Sequence, residues 1–178
     1  MMKWKGWSAL LGVVATVFGS SCGGDMKNMP KQNAVETPVE KKVIESQLAG
    51  SWYSSSRTGL SEELKERLAQ ASDASAMSNV IALISPHAGY RFSGAVAAFG
   101  MHQVAGRSFS RVVVMGPSHR MRLPDVASVP SATHYATPLG EIALDTAFIK
   151  QLRKSPYFVD QPSVVNGENS VEIQLPLL

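Results

Sequence analysis

The sequence has 178 residues and a single cysteine, Cys22. One thiol excludes a disulfide framework and any zinc site built from several thiolates. The chain also has little excess charge, with 17 Lys and Arg residues and 14 Asp and Glu residues. Residues 48–178 contain 11 basic and 10 acidic side chains. A nucleic-acid-binding surface needs a clustered basic stripe, so we expect no nucleic-acid partner.

Long apolar runs are missing as well. The uncharged, mostly apolar stretch Ser8–Phe18 is much shorter than the roughly 20 residues that a membrane-spanning helix needs. Lys3 and Lys5 precede this stretch and small residues follow it, which is the layout of a secretory signal. We therefore predict a signal peptide over residues 1–21.

Cys22 lies directly after the predicted cleavage site. The position resembles the lipobox of bacterial lipoproteins, although Gly19 stands where a larger aliphatic residue is usual. Ordinary signal cleavage would cut the same bond and leave Cys22 unmodified, so that alternative stays open. We predict that Cys22 is lipidated and that the protein is exported as a bacterial membrane lipoprotein. It would face the periplasm or the cell surface, with the membrane as its partner through the lipid anchor.

Two regions follow the predicted cleavage site. Residues 22–47 are rich in Lys, Glu, Pro and Asn and contain no aromatic side chain, which predicts a flexible linker. Residues 48–178 form the predicted domain, in which apolar, β-branched runs alternate with helical patterns. This alternation predicts an α/β fold with three layers, in which helices flank a mostly parallel sheet.

The element boundaries follow from apolar spacing and capping residues. The predicted strands are Val80–Ile84, Arg111–Met115, Glu141–Leu144 and Tyr157–Val159. The predicted helices are one across Leu60–Leu68 capped by Ser61, one over roughly Gly94–Val104 opened by Ser93, one ending near Leu152 capped by Asp145, and one capped by Ser170.

Two histidines follow the two most apolar predicted strands. His87 lies three residues past Ile84, and His119 lies four past Met115. Parallel strands joined by one helix bring their carboxyl ends to the same sheet edge, where open α/β folds bind ligands. Two converging imidazoles would suit divalent iron, zinc or copper, with a carboxylate or thiolate completing the set. A solvated loop role for each histidine is the alternative.

Two other readings of the histidines carry less weight. Ser118 beside His119 suggests a hydrolase, but Arg120 stands where a nucleophile elbow needs its second glycine. His134, before the Thr-Pro-Leu-Gly turn, is either a pocket residue or part of an ordinary loop.

Four sequence motifs occur in this order along the predicted domain: SPHAGYRFSG, VVVMGPSHR, TPLGEIALD and ENSVEIQLPLL. Together they resemble the Memo-like family, known in bacteria as AmmeMemoRadiSam system protein B. The family's fold is similar to that of class III extradiol dioxygenases, which are non-haem iron enzymes that cleave catechol rings. The resemblance implies His87 and His119 as metal ligands, with iron first and copper or zinc as alternatives. It also makes Tyr90, Asn169 and Glu172 candidate pocket or catalytic residues beside His134, and implies a small aromatic or peptide ligand.

The chain departs from the family pattern in two places. The family usually has histidine in the motif EHS(I/V/L)E, and Asn169 occupies that position in this sequence. An amide cannot shuttle a proton near neutral pH as histidine does. The family's third metal ligand lies beyond the LPLL motif, which is residues 175–178 here, so we expect a C-terminally truncated domain. A dioxygenase-like metalloenzyme therefore competes with a non-catalytic module that binds metal or peptide, and with a fragment that has no function.

Overall fold

The computed structural model describes residues 40–71, 75 and 77–178. Within this part, helices and short strands alternate along the chain and form an α/β fold, as predicted. The predicted signal peptide, Cys22 and most of the predicted linker lie outside the described residues. Across the described ranges, no helix combines the length and apolar character that a membrane crossing requires.

The described elements are mostly short. The strands are β1 (Val43–Ile44), β2 (Ala127–Ser128), β3 (His134–Thr137), β4 (Gly140–Ala143) and β5 (Phe158–Val159). The helices are α1 (Arg57–Gln70), α2 (Tyr90–His102), α3 (Thr146–Leu152), α4 (Pro162–Val165) and α5 (Asn169–Glu172), with a final 3-10 turn at Leu175–Leu177. Residues 168–178, which contain α5 and this turn, are called the α5 segment below.

Two of the three strand pairings are parallel. β1 pairs in parallel with β3, with Val43 opposite His134, and β3 forms an antiparallel hairpin with β4. β2 and β5 make a separate two-stranded parallel sheet. Because β1 belongs to the first sheet, Val43 and Ile44 are part of the fold although they precede the predicted boundary at residue 48.

The predicted strands Val80–Ile84 and Arg111–Met115 are wrong. Neither run forms a strand, and no backbone hydrogen bond joins either run to another described residue. Most of their large side chains are exposed, with Ile81 fully so. Apolar, β-branched residues favour a strand when a neighbouring strand supplies hydrogen bonds and a face to bury them. The described part of the chain supplies neither for these two runs.

Helix α1 confirms the spacing from Leu60 to Leu68, but it begins before the predicted cap at Ser61. Ser56 is the N-cap instead, and its hydroxyl accepts a backbone hydrogen bond from the first turn. Leu60 and Leu64 are buried on the inner face of the helix. The helix therefore starts five residues earlier than predicted, because the hydroxyl of Ser56 satisfies the free N–H group of Gly59.

Helix α2 begins at Tyr90 and not at the predicted Ser93. The backbone N–H of Tyr90 donates to the carbonyl of Trp52, which fixes the start of the helix. Gly94 lies against α1, where a Cβ would stand only 3.0 Å from Nε of Arg67. A glycine at this position lets the two helices approach closely.

The two remaining predicted caps have different outcomes. Asp145 caps α3 as predicted, and its carboxylate accepts from the backbone N–H of Phe148 at 2.8 Å. The cap predicted at Ser170 is wrong, because Glu168 is the N-cap of α5 and accepts from the N–H of Ser170. The glutamate side chain is long enough to reach forward to the free N–H group of Ser170 in the first turn.

The α5 segment contributes to both apolar clusters of the fold. Ile173 packs in the first cluster, which also contains Leu48, Tyr53, Leu60, Leu64 and Tyr90. Leu175 packs in the second, together with Ile44, Ala132 and Tyr135. The same short segment therefore joins the helical pair to the three-stranded sheet.

Candidate metal centre

The rings of His87 and His119 lie next to each other in the folded protein. Their centroids are 5.3 Å apart and their planes meet at 65°, an edge-to-face arrangement. The two rings lie close together, although the strands expected to bring them together are not formed. Contacts from another part of the fold must therefore hold the two loops.

The carboxylate of Glu168 holds the His119 loop. Its Oε2 accepts from the backbone N–H of His119 at 2.8 Å, and its Oε1 lies 2.7 Å from the ring Nδ1. Oε1 also accepts from the backbone N–H and the hydroxyl of Ser170, at 2.9 and 2.8 Å. The sequence-based search missed Glu168. The available signal was weak: it is the one charged residue between Asp160 and Glu172.

Hydrogen bonding keeps Glu168 ionised although the side chain is only 4% exposed. Burial by itself raises the pKa of this carboxyl group, because a charge is less stable away from water. The hydrogen bonds from His119 and Ser170 outweigh that effect and hold the pKa at about 2, below the ordinary value of 4.5. Glu168 therefore presents a negative charge to the His119 loop at neutral pH.

Gln174 holds the other histidine loop. Its Nε2 donates to the carbonyl of Pro86 at 3.0 Å, directly before His87. Its Oε1 is buried and has no hydrogen-bond partner among the described residues. Sequence reasoning missed Gln174 too. The available signal was that it is the one polar residue in the run 173–178. Side chains of the α5 segment thus contact both histidine loops.

Gly116 lets the His119 loop lie directly on α5. A Cβ at this position would collide with the side chain of Ser170. The hydroxyl of Ser170 also lies 3.1 Å from the carbonyl of Pro117, the residue after Gly116. The backbone at Gly116 therefore lies very close to its neighbour, and the surface that it approaches is α5.

Two predicted pocket residues make contacts that stabilise the scaffold. The hydroxyl of Tyr90 is buried and donates to the carbonyl of Ile173 at 2.9 Å. Glu172 is 0% exposed, and its carboxylate accepts from the backbone N–H groups of residues 47–48 and from the hydroxyl of Tyr53. These contacts fix α2 and the 46–48 loop to the α5 segment. A role for either side chain in ligand binding stays a prediction.

The other two predicted pocket residues lie in different places. Asn169 directly follows Glu168 as the first residue of α5, and its side chain is partly exposed. His134 lies in β3, where its Nδ1 is 2.8 Å from the hydroxyl of Thr133. His134 lines a surface depression of about 310 Å³ whose other lining residues are Lys41, Thr133, Ala143, Leu144 and Thr146. None of these lining residues belongs to either histidine loop.

The two rings have a spacing that suits a shared metal ion. A ring nitrogen binds zinc at about 2.0–2.1 Å, so two imidazoles on one ion have ring centres roughly 5 Å apart. The observed 5.3 Å separation of the His87 and His119 centroids fits this arrangement. Within the described ranges, no group of three or more His, Cys, Asp or Glu side chains could hold a metal ion. The geometry supplies two candidate protein ligands.

Comparison with known proteins identifies the family. A sequence profile of the family described as Memo-like protein matches residues 45–178. The chain belongs to the Memo-like protein family. The protein memo-1 homolog of Caenorhabditis elegans is 36% identical over 132 residues, and Protein MEMO1 of Danio rerio is 35% identical over 133. The MEMO1 family protein MHO1 of Saccharomyces cerevisiae is 31% identical over 139 residues.

The Memo-like chain matches only part of each relative. The alignments with the worm and zebrafish proteins cover 73% and 74% of this chain, but 37% and 44% of the relatives' own lengths. The yeast alignment covers 73% of this chain and 41% of its relative. The family predicted from the four sequence motifs is therefore confirmed. The chain spans less than half the length of these relatives.

Proposed function

We propose that this Memo-like protein binds one divalent metal ion through His87 and His119, with iron as the first candidate and copper or zinc as alternatives. The observation that carries the proposal is the edge-to-face pair of imidazole rings with centroids 5.3 Å apart. The loops of both rings are tied to one buried segment, through Glu168 and through Gln174. Such fixed geometry favours metal binding, because the ligands need little reorganisation.

The family's similarity to extradiol dioxygenases suggests the chemistry to test. When bound, ferrous iron with open coordination positions would supply the place where an aromatic substrate and oxygen meet. In this chain, His87 and His119 would hold the ion, and Glu168 would keep the His119 ring in place. Asn169 could orient a substrate by hydrogen bonding, since an amide both donates and accepts. It could not move a proton near neutral pH as histidine does.

A non-catalytic binding module is the second candidate function, and a depression next to the His87 loop favours it. This depression of about 320 Å³ is lined by Ser51, Trp52, Ala88, Gly89, Arg91 and Phe92. Its walls combine two aromatic rings with one guanidinium, and Arg91 stacks over the ring of Phe92 at 4.6 Å. Aromatic surfaces with a nearby cation suit a small aromatic ligand or a peptide side chain.

Metal analysis of the purified protein tests the first proposal. We expect about one equivalent of bound iron or copper in the wild type and a loss of most of it in His87→Ala and in His119→Ala. His134→Ala is the matched control, because His134 lies in β3 and lines a different depression. Retention of metal in both loop variants, or its equal loss in the control, would refute the assignment.

Oxygen uptake separates the enzyme from the binding module. The iron-loaded protein is mixed with a panel of catechols, and oxygen consumption is compared with that of His119→Ala. Consumption that depends on His119 supports ring-cleaving chemistry. Catechol or peptide binding without consumption supports the binding module, and weakening of that binding by Phe92→Ala would place the ligand in the depression beside His87.

We also propose export and membrane attachment through Cys22, on the sequence features alone. Cells grown with a radioactive fatty acid should yield labelled mature protein, and Cys22→Ser should abolish the label. Unlabelled protein cleaved at the same bond would support ordinary secretion instead.

A further inference from the structure

Glu168 makes more contacts than a helix cap requires. The cap is complete once Oε1 accepts from the backbone N–H of Ser170 at 2.9 Å. The same carboxylate also makes two hydrogen bonds with His119, one with the backbone N–H at 2.8 Å and one with the ring Nδ1 at 2.7 Å. Holding both the backbone and the ring of one residue fixes where the imidazole points.

The surroundings of Glu168 settle which way the ring hydrogen bond runs. Donors reach both of its oxygens: Oε1 accepts from the backbone of Ser170, and Oε2 accepts from the backbone of His119. These backbone N–H groups cannot accept, so the carboxyl group serves as an acceptor in this cluster. The hydrogen shared with His119 then lies on Nδ1, so Nε2 carries the free lone pair whenever the ring is neutral.

We propose that Glu168 is a positioning residue that holds neutral His119 in the Nδ1–H tautomer and so makes Nε2 the metal-binding atom. The metal part of this inference rests on the proposed function, whereas the tautomer belongs to the protein without metal. Histidine ligands commonly donate their second N–H to a carboxylate, which orients the ring and makes the binding nitrogen more basic. Glu168, which is buried and contacts both the ring and the backbone of His119, is suited to that task.

Nitrogen NMR of the metal-free protein tests the tautomer directly. Spectra are taken over a series of alkaline pH values, and the tautomer is assigned where the nitrogen shifts themselves show a neutral ring. We expect wild-type His119 to be almost entirely Nδ1–H. In Glu168→Gln the amide can donate as well as accept, so the Nε2–H form should rise to a substantial fraction. His134, whose Nδ1 contacts Thr133, serves as the internal control and should not change.

Ser170→Ala separates positioning from general support of the fold. This variant removes a hydroxyl from the same carboxylate but leaves both contacts between Glu168 and His119. We expect it to keep the Nδ1–H tautomer and wild-type zinc affinity, while Glu168→Gln binds zinc about 10–100-fold more weakly. The proposal is overturned if wild-type His119 is the Nε2–H tautomer. It is also overturned if Ser170→Ala and Glu168→Gln change the tautomer equally.

The two measurements also distinguish failure of this inference from failure of the metal proposal. A wild-type protein that shows the Nδ1–H tautomer but binds no zinc would retain Glu168 as the orienting residue and refute the metal site. Equal zinc affinity and an unchanged tautomer in Glu168→Gln would retain the metal site and refute the positioning role. The wild-type spectrum alone decides the tautomer if the substituted protein does not fold.

Discussion

The α5 segment and the two apolar runs at residues 80–84 and 111–115 differ in almost every respect. Residues 172–176 of the α5 segment are all buried, and its side chains hydrogen-bond to both histidine loops and to the 46–48 loop. The two runs are more apolar in sequence, yet most of their large side chains are exposed and their backbones make no hydrogen bond to other described residues. Hydrophobicity alone therefore does not decide which part of this chain forms the core.

This difference changes the explanation for the convergence of the histidines. Parallel strand ends would bring His87 and His119 together if the two runs formed neighbouring strands. In the structure, the rings converge while the runs stay unpaired. The contacts of Glu168 with His119 and of Gln174 with Pro86 account for their positions.

The largest expected effect comes from removing the buried carboxylate of Glu172. In Glu172→Ala, the backbone N–H groups of residues 47–48 lose their acceptor, and the hydroxyl of Tyr53 keeps only its contact with Ser46. Each unsatisfied buried donor costs about 1–3 kcal/mol, so we expect a loss of about 4 kcal/mol in the free energy of unfolding. Urea unfolding measures this loss.

Glu62→Ala is the matched control for Glu172→Ala, because Glu62 lies on the exposed face of α1. We expect this variant to change the free energy of unfolding by less than about 0.5 kcal/mol. Similar effects of the two substitutions would contradict the special role given to the α5 segment.

A pair of leucine and isoleucine truncations compares the two regions directly. Leu60 is 0% exposed and packs in the same cluster as Ile173, so Leu60→Ala should lose about 3 kcal/mol of unfolding free energy. Ile84 is fully exposed in one of the runs, and Ile84→Ala should change it by less than about 0.5 kcal/mol. A loss above about 2 kcal/mol in Ile84→Ala would show that this run is buried in solution.

Sequence patterns predicted the elements that depend on near neighbours. The spacing from Leu60 to Leu68 defines a helix, and Asp145 is three residues from the N–H that it caps. The contact between Glu168 and His119 spans 49 positions, and that between Glu172 and Leu48 spans 124. No periodicity encodes contacts of that length, which is why the histidines could be predicted as candidates and their supports could not.

Three buried tyrosines should make the free energy of unfolding depend on pH in the alkaline range. Burial raises the pKa of Tyr135 to about 12, and it also raises the pKa of Tyr53 and of Tyr90 above the ordinary value of 10. These phenols hold their protons more tightly when folded, so the stability that they contribute is complete below pH 10 and is lost as the pH rises to about 12.

Urea midpoints measured against pH, together with phenolate absorbance, test this expectation. The midpoint should fall over the same range in which the absorbance rises, and the fall should be shallower in Tyr135→Phe. A midpoint that stays constant up to pH 12 would contradict the burial of these side chains.

The smallest expected effect concerns Gln174. Gln174→Ala removes the hydrogen bond to Pro86 but also removes a buried oxygen that has no partner among the described residues. The two changes oppose each other, so we expect the free energy of unfolding to fall by no more than about 1 kcal/mol. The ring signals of His87 should nevertheless shift in the NMR spectrum, while those of His134 stay in place. Unchanged His87 signals would show that Gln174 does not fix this loop.

Family membership rests on a match over residues 45–178, whereas the proposed metal binding rests on two side chains. The central claim is that His87 and His119 bind the same ion. Electron paramagnetic resonance of the copper-loaded protein tests it most directly, because the spectrum counts the imidazole nitrogens coupled to the metal. We expect two such nitrogens in the wild type, one in His87→Ala and two in His134→Ala. Two nitrogens that persist in His87→Ala, or a wild-type signal with none, would contradict it.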